Sequence, residues 1–353
     1  MGRVLKKHSA SRKRPNVRSL PLEAWPAADR AAWVAAIEPG VRLNRGGKAS
    51  HMLPITQNDL SRRYGYLLDF CQRRDALDMA APAAGHVTST IIGEFLAELS
   101  ERVGSVTVHG TIYKVRRVAE IINPKADFDW LKELENDLDR EKRPRPKHHR
   151  LVDADLIVAG GLRVMDEVLL IEQPSWHDAL RFRNGLMIAL CAMCPIRLKN
   201  IAGLRIGKSI LKTNNTWWIS LSDNETKEKR PDERQVPEIL TDYLDRWCEL
   251  KAQVLPPSED ALWASRYGGA IGYSRVENII TRTTLELFGK SVNPHLLRDC
   301  AVHFVATQAG DRMGVAVSVL NHRDPRTIEK HYNKGASIKA VQAYQDILLN
   351  LGS

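Results

Sequence analysis

The chain is 353 residues long, 43% hydrophobic and 27% charged, which is enough to bury two separate cores and ordinary for a soluble globular protein. Its formal charge of +10 points to a polyanionic partner, nucleic acid first, with a basic enzyme lacking such a partner as the duller reading. No apolar run is long enough to cross a bilayer, no signal-peptide core follows the start, and an odd set of scattered cysteines (Cys71, Cys191, Cys194, Cys248, Cys300) fits a reducing cytoplasm rather than a disulfide framework.

Residues 1–20 hold Arg3, Lys6, Lys7, Arg12, Lys13, Arg14 and Arg18 with no acidic residue, a block that resists collapse on its own. Residues 21–48 are mixed in pattern, with Trp25 and Trp33 offering some packing. The whole of 1–48 is expected to be a basic, flexible segment. From about Ile55 the pattern turns helical. Thr56 is a cap candidate for a helix with Leu60, Tyr64, Leu67, Leu68 and Cys71 on one side. A second helix carries Ile91, Ile92, Phe95, Leu96 and Leu99. A third starts near Ser105 or Thr107, holds Ile112, Val115, Val118, Ala119 and Ile122, and stops at Asn123-Pro124. Lys114, Arg116 and Arg117 are expected on its outer faces, giving a bundle over 49–139 with basic edges suited to a duplex, or, more blandly, to a protein partner. Residues 140–150 are charged, proline-broken and free of apolar residues, and read as a linker whose Arg143, Arg145, Lys147 and Arg150 are candidates for following a DNA backbone.

Residues 151–353 read as a second domain, mostly helical with one small sheet. A helix over 151–172 is interrupted by Gly160-Gly161. An apolar helix over 178–194 stops at Pro195, and its Cys191-x-x-Cys194 is expected to serve packing, because no second ligand pair follows at zinc-site spacing. Arg197 follows the break, and Ile201 and Leu204 pack the next turn. Residues 217–221 look like a strand and 234–237 like its return, joined by a polar loop carrying Lys227 and Lys229 near its tip. Helices over 241–252 and 273–288 come next. Asn293-Pro294 then reads as an N-cap and first-turn proline, which places His295 and Arg298 three apart in a first helical turn, where free N–H groups favour an anion. Leu-Asn-His-Arg-Asp-Pro-Arg-Thr-Ile-Glu-Lys-His-Tyr ends at Tyr332, and a terminal amphipathic helix is expected from about residue 336.

In order, the second domain supplies Arg197, a hairpin lysine, His295-x-x-Arg298, His322 and Tyr332. That order, with Asn-Pro-His-Leu-Leu-Arg and the stretch ending at Tyr332, resembles the tyrosine recombinases, or phage integrase family, over roughly residues 50–345. The resemblance implies a mainly α fold with a small β-sheet or hairpin in the C-terminal domain. It implies a helical, SAM-like core-binding domain over 49–139 and a catalytic domain over 151–353, the two clamping duplex DNA. It further implies site-specific DNA recombination through a covalent 3′-phosphotyrosyl intermediate, a homo-tetramer on DNA, accessory DNA-bending or directionality proteins, and a cytoplasmic, nucleoid-associated protein of bacterial or phage type.

The residues carry the same chemistry by themselves. Tyr332 is the candidate nucleophile; a free tyrosine has a pKa of about 10 and needs a cationic site and a proton acceptor to react near neutrality. Arg197 and Arg298 can each fork two N–H groups onto non-bridging phosphoryl oxygens. Lys227 is the candidate acid for the leaving oxygen, His295 an acid or base, and His322 a hydrogen-bonding partner of the phosphate. Lys229 is the alternative acid, since a strand slip of two residues keeps the same face. This set asks for no metal and no cofactor: the cations occupy the place that two magnesium ions hold in other DNA-cutting enzymes. Two positions depart from the family pattern, Asn321 where glycine is usual and Asn200 where an acidic residue is usual, and His331 adjoins the tyrosine. A type IB topoisomerase-like or hairpin-resolving enzyme shares this chemistry without strand exchange. A non-catalytic basic DNA-binding protein is the alternative of another class.

Overall fold

The structure is a computed structural model and describes residues 19–43, 45–226 and 229–308. It divides into two compact units, residues 1–145 and 146–353. Among the described residues no helix is long and apolar enough to cross a membrane.

The first unit is a bundle of α1 (Ala27–Ile37), α2 (Pro54–Arg73), α3 (Ser89–Arg102), α4 (Ser105–Ile122) and α5 (Asp129–Arg140). Helix α4 is its centre and packs against the other four. Its apolar positions recur at helical spacing, so Ile112, Val115, Val118 and Ala119 are all fully buried. It stops at Asn123, whose side-chain amide donates to the Ala83 carbonyl at 3.0 Å. Thr88 caps α3 by accepting from the Ile91 N–H at 3.3 Å. Helix α2 begins at Pro54, two residues before the expected cap Thr56, because proline is already set for the first turn.

Two parts of this unit depart from the sequence reading. Residues 20–37, expected within a flexible segment, belong to the core: Trp25 and Trp33 are buried, and the Trp25 ring lies 5.0 Å from that of Tyr64. Two indoles bury enough apolar area to hold a short segment in place. The carboxylate of Asp29, also buried, accepts the Tyr64 hydroxyl at 2.9 Å and the Ala84 N–H at 2.7 Å, so its own polar demand is met. Helix α5 is the second departure. Its residues are mostly charged, and it buries only Leu131 completely, with Trp130, Leu134 and Leu138 packed at the rim.

The second unit contains α6 (Ala154–Leu169), α7 (Trp176–Met193), α8 (Leu198–Ala202), strands β1 (Ile210–Thr213), β2 (Thr216–Leu221) and β3 (Asp232–Gln235), then α9 (Thr241–Val254), α10 (Tyr273–Phe288) and α11 (Pro294–Gln308). Helix α7 is its centre, touching α6, α9, α10 and α11. Its unbroken buried run, Gly185 to Ala192, reflects neighbours on every side. A full capping box starts it: the Ser175 hydroxyl accepts from the Asp178 N–H, and the Asp178 carboxylate accepts from the Ser175 N–H at 2.9 Å.

The strands form an antiparallel sheet in the order β1-β2-β3, with Ile210 opposite Ile219 and Ile219 opposite Arg234. Strand β1 is an addition to the expected hairpin. The tight turn into β2 uses Asn214 and Asn215, both with positive φ (49° and 59°), which asparagine tolerates and which matches strand twist. Strand β3 begins two residues earlier than expected and ends before Pro237, which has no N–H to give a ladder.

Candidate active site

Helix α7 stops because Pro195 cannot continue it. The turn that follows is held by backbone bonds: Cys194 N–H to Leu190 carbonyl at 2.7 Å, and Ile196 N–H to Cys194 carbonyl at 2.7 Å. Arg197 comes next, with extended backbone (φ −68°, ψ 147°) at the N-cap position of α8. Its carbonyl accepts from the Asn200 and Ile201 N–H groups at 2.8 and 3.0 Å, and its side chain is half-buried. Helix α8 is anchored in turn by the buried Trp263 indole, which donates to the Ile201 carbonyl at 2.7 Å. The backbone of Arg197 therefore sits between two fixed points.

Arg298 arrives from the other side. Asn293 caps α11, its side-chain oxygen accepting the Leu296 N–H at 2.8 Å, and Pro294 is the first helical residue. The Thr284 hydroxyl, buried on α10, accepts the Val292 N–H at 3.0 Å and so ties the loop before α11 to the preceding helix. Arg298 is buried, and its guanidinium donates to the Pro195 carbonyl, two residues before Arg197. The fold thus brings the two sequence-predicted arginines, a hundred residues apart, to one turn. His295, one turn before Arg298, is exposed at the start of the same helix.

The β2–β3 loop is organised on Thr226, buried despite its place in a loop. Its hydroxyl oxygen accepts the Arg230 N–H at 3.1 Å and lies 2.6 Å from the Arg230 carbonyl. Lys229 is exposed, with left-handed backbone (φ 55°). It stands on the loop and not on a strand, since β2 ends at Leu221 and β3 starts at Asp232. A two-residue slip in strand pairing is therefore no basis for choosing it. Lys227, next to Thr226, lies outside the described residues, as do His322, Tyr332 and the terminal helix expected from 336.

Sequence reasoning missed Arg234. It pairs with Asp232 at 2.8 Å along β3, and its charge reaches Cys194: burial pushes that thiol up to about 11, with the arginine opposing the rise. Nothing local marks this arginine, because Asp232 and Arg234 read as an ordinary exposed strand pair. Burial also pushes the Cys191 thiol up, as packing rather than reactive sulfur requires.

The candidate DNA contacts divide into two groups. Arg143, Arg145, Lys147 and Arg150 are exposed, while Lys114 pairs with Asp59 and Arg117 with Glu120. Arg116 is a correction. Expected on an outer face of α4, it is buried, with Glu135 of α5 at 2.6 Å and Glu120 also on its guanidinium. Its charge is spent inside the bundle. Arg116→Ala should leave the salt dependence of DNA binding unchanged and destabilise the first unit by about 2 kcal/mol, because the largely buried Glu135 loses its guanidinium and Glu120 is left with Arg117. Salt-titrated binding and chemical denaturation read the two effects separately.

The family model described as the phage integrase family matches residues 162–337. Tyrosine recombinase XerC of Vibrio parahaemolyticus serotype O3:K6 (strain RIMD 2210633) is 22% identical over 194 residues, covering 54% of this chain and 55% of that protein. The chain therefore matches about half the length of that curated relative. Among solved structures, the XerH site-specific recombinase bound to difH substrate in a pre-cleavage complex aligns with a TM-score of 0.53 at 14% identity, covering 81% of this chain and 79% of that one. The XerH post-cleavage complex with palindromic difH substrate aligns with a TM-score of 0.55 at 14% identity, covering 93% and 99%. At that identity the likeness is one of fold: helical, with one small antiparallel sheet.

Proposed function

The chain belongs to the phage integrase family through residues 162–337, and from that premise we propose that it cleaves and rejoins DNA at specific sites through a covalent 3′-phosphotyrosyl intermediate. The observation that carries this reading is the meeting of two arginine-bearing elements at one turn, with Arg298 donating to the Pro195 carbonyl two residues before Arg197. A buried guanidinium fixed beside the turn that bears Arg197 suits a phosphodiester, whose transition state adds charge to its non-bridging oxygens.

In the proposed reaction the Tyr332 oxygen attacks phosphorus, the bond from phosphorus to the 5′ oxygen breaks, and the enzyme is left esterified to the 3′ end. The Tyr332 proton passes to His295 or to water. Lys227 supplies the proton that the departing 5′ oxygen takes up, with Lys229 as the alternative donor, and His322 hydrogen-bonds the phosphoryl group. The phosphotyrosyl bond conserves the energy of the broken ester, so attack by a 5′ hydroxyl reseals the strand without a nucleotide cofactor. The partner is double-stranded DNA carrying recombination sites, bound by four copies of the chain, with the exposed Arg143 and Arg145 on its backbone. Accessory proteins that bend DNA or set direction belong to the same proposal, as does a place at the nucleoid.

A nicked suicide duplex tests the assignment, because the short 5′ fragment diffuses away and traps the adduct. Wild-type protein should become attached to the 3′ end, and Tyr332→Phe should give no adduct. An adduct of undiminished yield in Tyr332→Phe would remove the nucleophile assignment, and DNA binding without any wild-type adduct would favour a non-catalytic DNA-binding protein. For the acid, a 5′-thio leaving group should rescue Lys227→Ala and leave Lys229→Ala unchanged.

A further inference from the structure

The segment that opens the second unit, residues 147–152, is bonded along helix α11, which carries His295 and Arg298. Four contacts are made, two to the helix itself and two to the turn at residues 290 and 291 that leads into it. Lys147 Nζ lies 3.0 Å from Asp299 Oδ2, and the rings of His148 and His303 meet edge-on at 6.1 Å. Arg150 donates to the Ser291 carbonyl at 3.0 Å and Lys290 donates to the Leu151 carbonyl at 2.8 Å, while Val152 and Cys300 are buried in the same core. Residues 299, 300 and 303 share one flank of α11, while Arg298 projects from the other flank toward Pro195. Asp299 is also one turn from His295. The helix is therefore held on both flanks, by the 147–152 segment on one and by its own arginine on the other.

We propose that Lys147, Arg150 and Asp299 are positioning residues, which set the rotation of α11 about its axis and through it the aim of Arg298 and His295. This rests on the strand-cleaving reading above. It departs from the sequence expectation that Lys147 and Arg150 follow the DNA backbone. Each has a donor engaged within the unit: the Lys147 ammonium has a carboxylate that is mostly shielded from solvent, and Arg150 has a carbonyl on the turn that leads into α11. An exposed ion pair alone contributes little. The strength of the arrangement lies in four contacts over five consecutive residues, which together oppose rotation of a helix whose two functional side chains lie within its first two turns.

The test combines cleavage, binding and exchange on the full chain. Lys147→Ala/Arg150→Ala should lower single-turnover cleavage at saturating DNA by about tenfold, the equivalent of about 1.4 kcal/mol in the barrier. DNA affinity and its salt slope should stay at the wild-type values. Asp299→Asn should slow cleavage in the same way, although it removes a negative charge and would strengthen binding if charge alone mattered. Pairing Lys147→Asp with Asp299→Lys should bring the rate back to within roughly twofold of wild type. All rates are read at a temperature where thermal melting shows every variant folded, so a loss of folded protein cannot produce them. Wild-type cleavage at saturating DNA in the double variant, with the salt slope reduced by about two, would make these residues phosphate contacts and overturn the proposal. If the wild-type chain forms no adduct on any duplex, the functional reading fails instead. Hydrogen exchange then decides the positioning role: the α11 amides should exchange faster in Lys147→Ala/Arg150→Ala, and unchanged exchange would overturn it.

Discussion

Arg298→Ala should lower strand cleavage at saturating DNA by about a hundred- to a thousandfold, the usual cost of removing one donor from a preorganised electrostatic site. The site places this side chain unusually well. It is buried, it is held by the Pro195 carbonyl, and it emerges from a helix capped by Asn293 and fastened through Thr284. Its removal also leaves a backbone carbonyl with one donor fewer, so the protein should lose about 1–3 kcal/mol of stability. Arg298→Lys separates the two effects. An ammonium can satisfy Pro195 or approach a phosphate, but it lacks the planar fork that does both. The lysine variant should therefore regain stability while recovering little of the rate. Adduct formation on a nicked duplex measures the rate, and urea denaturation measures the stability. A lysine variant that cleaves at the wild-type rate would show that charge, not the shape of the guanidinium, is what the site uses.

The second large effect is structural, at the crossing of α6 and α7. There Gly161 and Gly185 face one another backbone to backbone. A Cβ on Gly185 would stand 2.8 Å from the Gly161 carbonyl oxygen, and one on Gly161 would stand 2.7 Å from the Gly185 carbonyl oxygen. Neither obstacle is a flexible side chain that can turn away. Gly185→Ala should cost about 1–3 kcal/mol by forcing the helices apart. Combining it with Gly161→Ala should cost less than the sum, since the first change already opens the gap. Gly93→Ala is the control: nothing lies within 4 Å of its Cβ, and it sits inside α3, where alanine is the better helix former. That variant should gain about 0.4–1 kcal/mol. A shift in the urea midpoint reads all of these. Because α7 ends at the turn bearing Arg197, the Gly185 variant should also slow cleavage, by an amount that increases with its loss of stability.

These two cases mark what could be read without coordinates. Local rules served well wherever a contact lies within a turn or two of chain. The end of α7 at Pro195, the Asn293 cap with its first-turn proline and the span of α10 all follow from such rules. Strand β1 was harder, with four residues of which only Ile210 is buried. Helix α1 has apolar residues on most faces, and α5, charged elsewhere, carries only a narrow stripe of Trp130, Leu131, Leu134 and Leu138. The reading of Arg116 failed for a different reason. On α4 alone it is a basic residue beside other basic residues, and the carboxylate that buries it belongs to Glu135, nineteen positions on and in another helix. Gly160-Gly161 looked like a weak point of α6, whereas Gly161 and Gly185 let the backbones of α6 and α7 approach closely.

By itself, then, the sequence determined the inventory: a basic, mainly helical chain, many of its helix starts and stops, and an ordered set of phosphate-binding residue types that resembles one family. Each of these rests on interactions between near neighbours, in caps, turn residues and periodicity, which a linear string carries in full. Only the tertiary structure decided the pairings. It joined Arg298 to the Pro195 carbonyl across 103 positions, spent Arg116 on two carboxylates, bound Lys147 to Asp299 across 152, and set a glycine against a glycine where α6 and α7 cross. Such contacts depend on where whole helices come to lie, which is set by the summed packing of both cores and not by any local pattern.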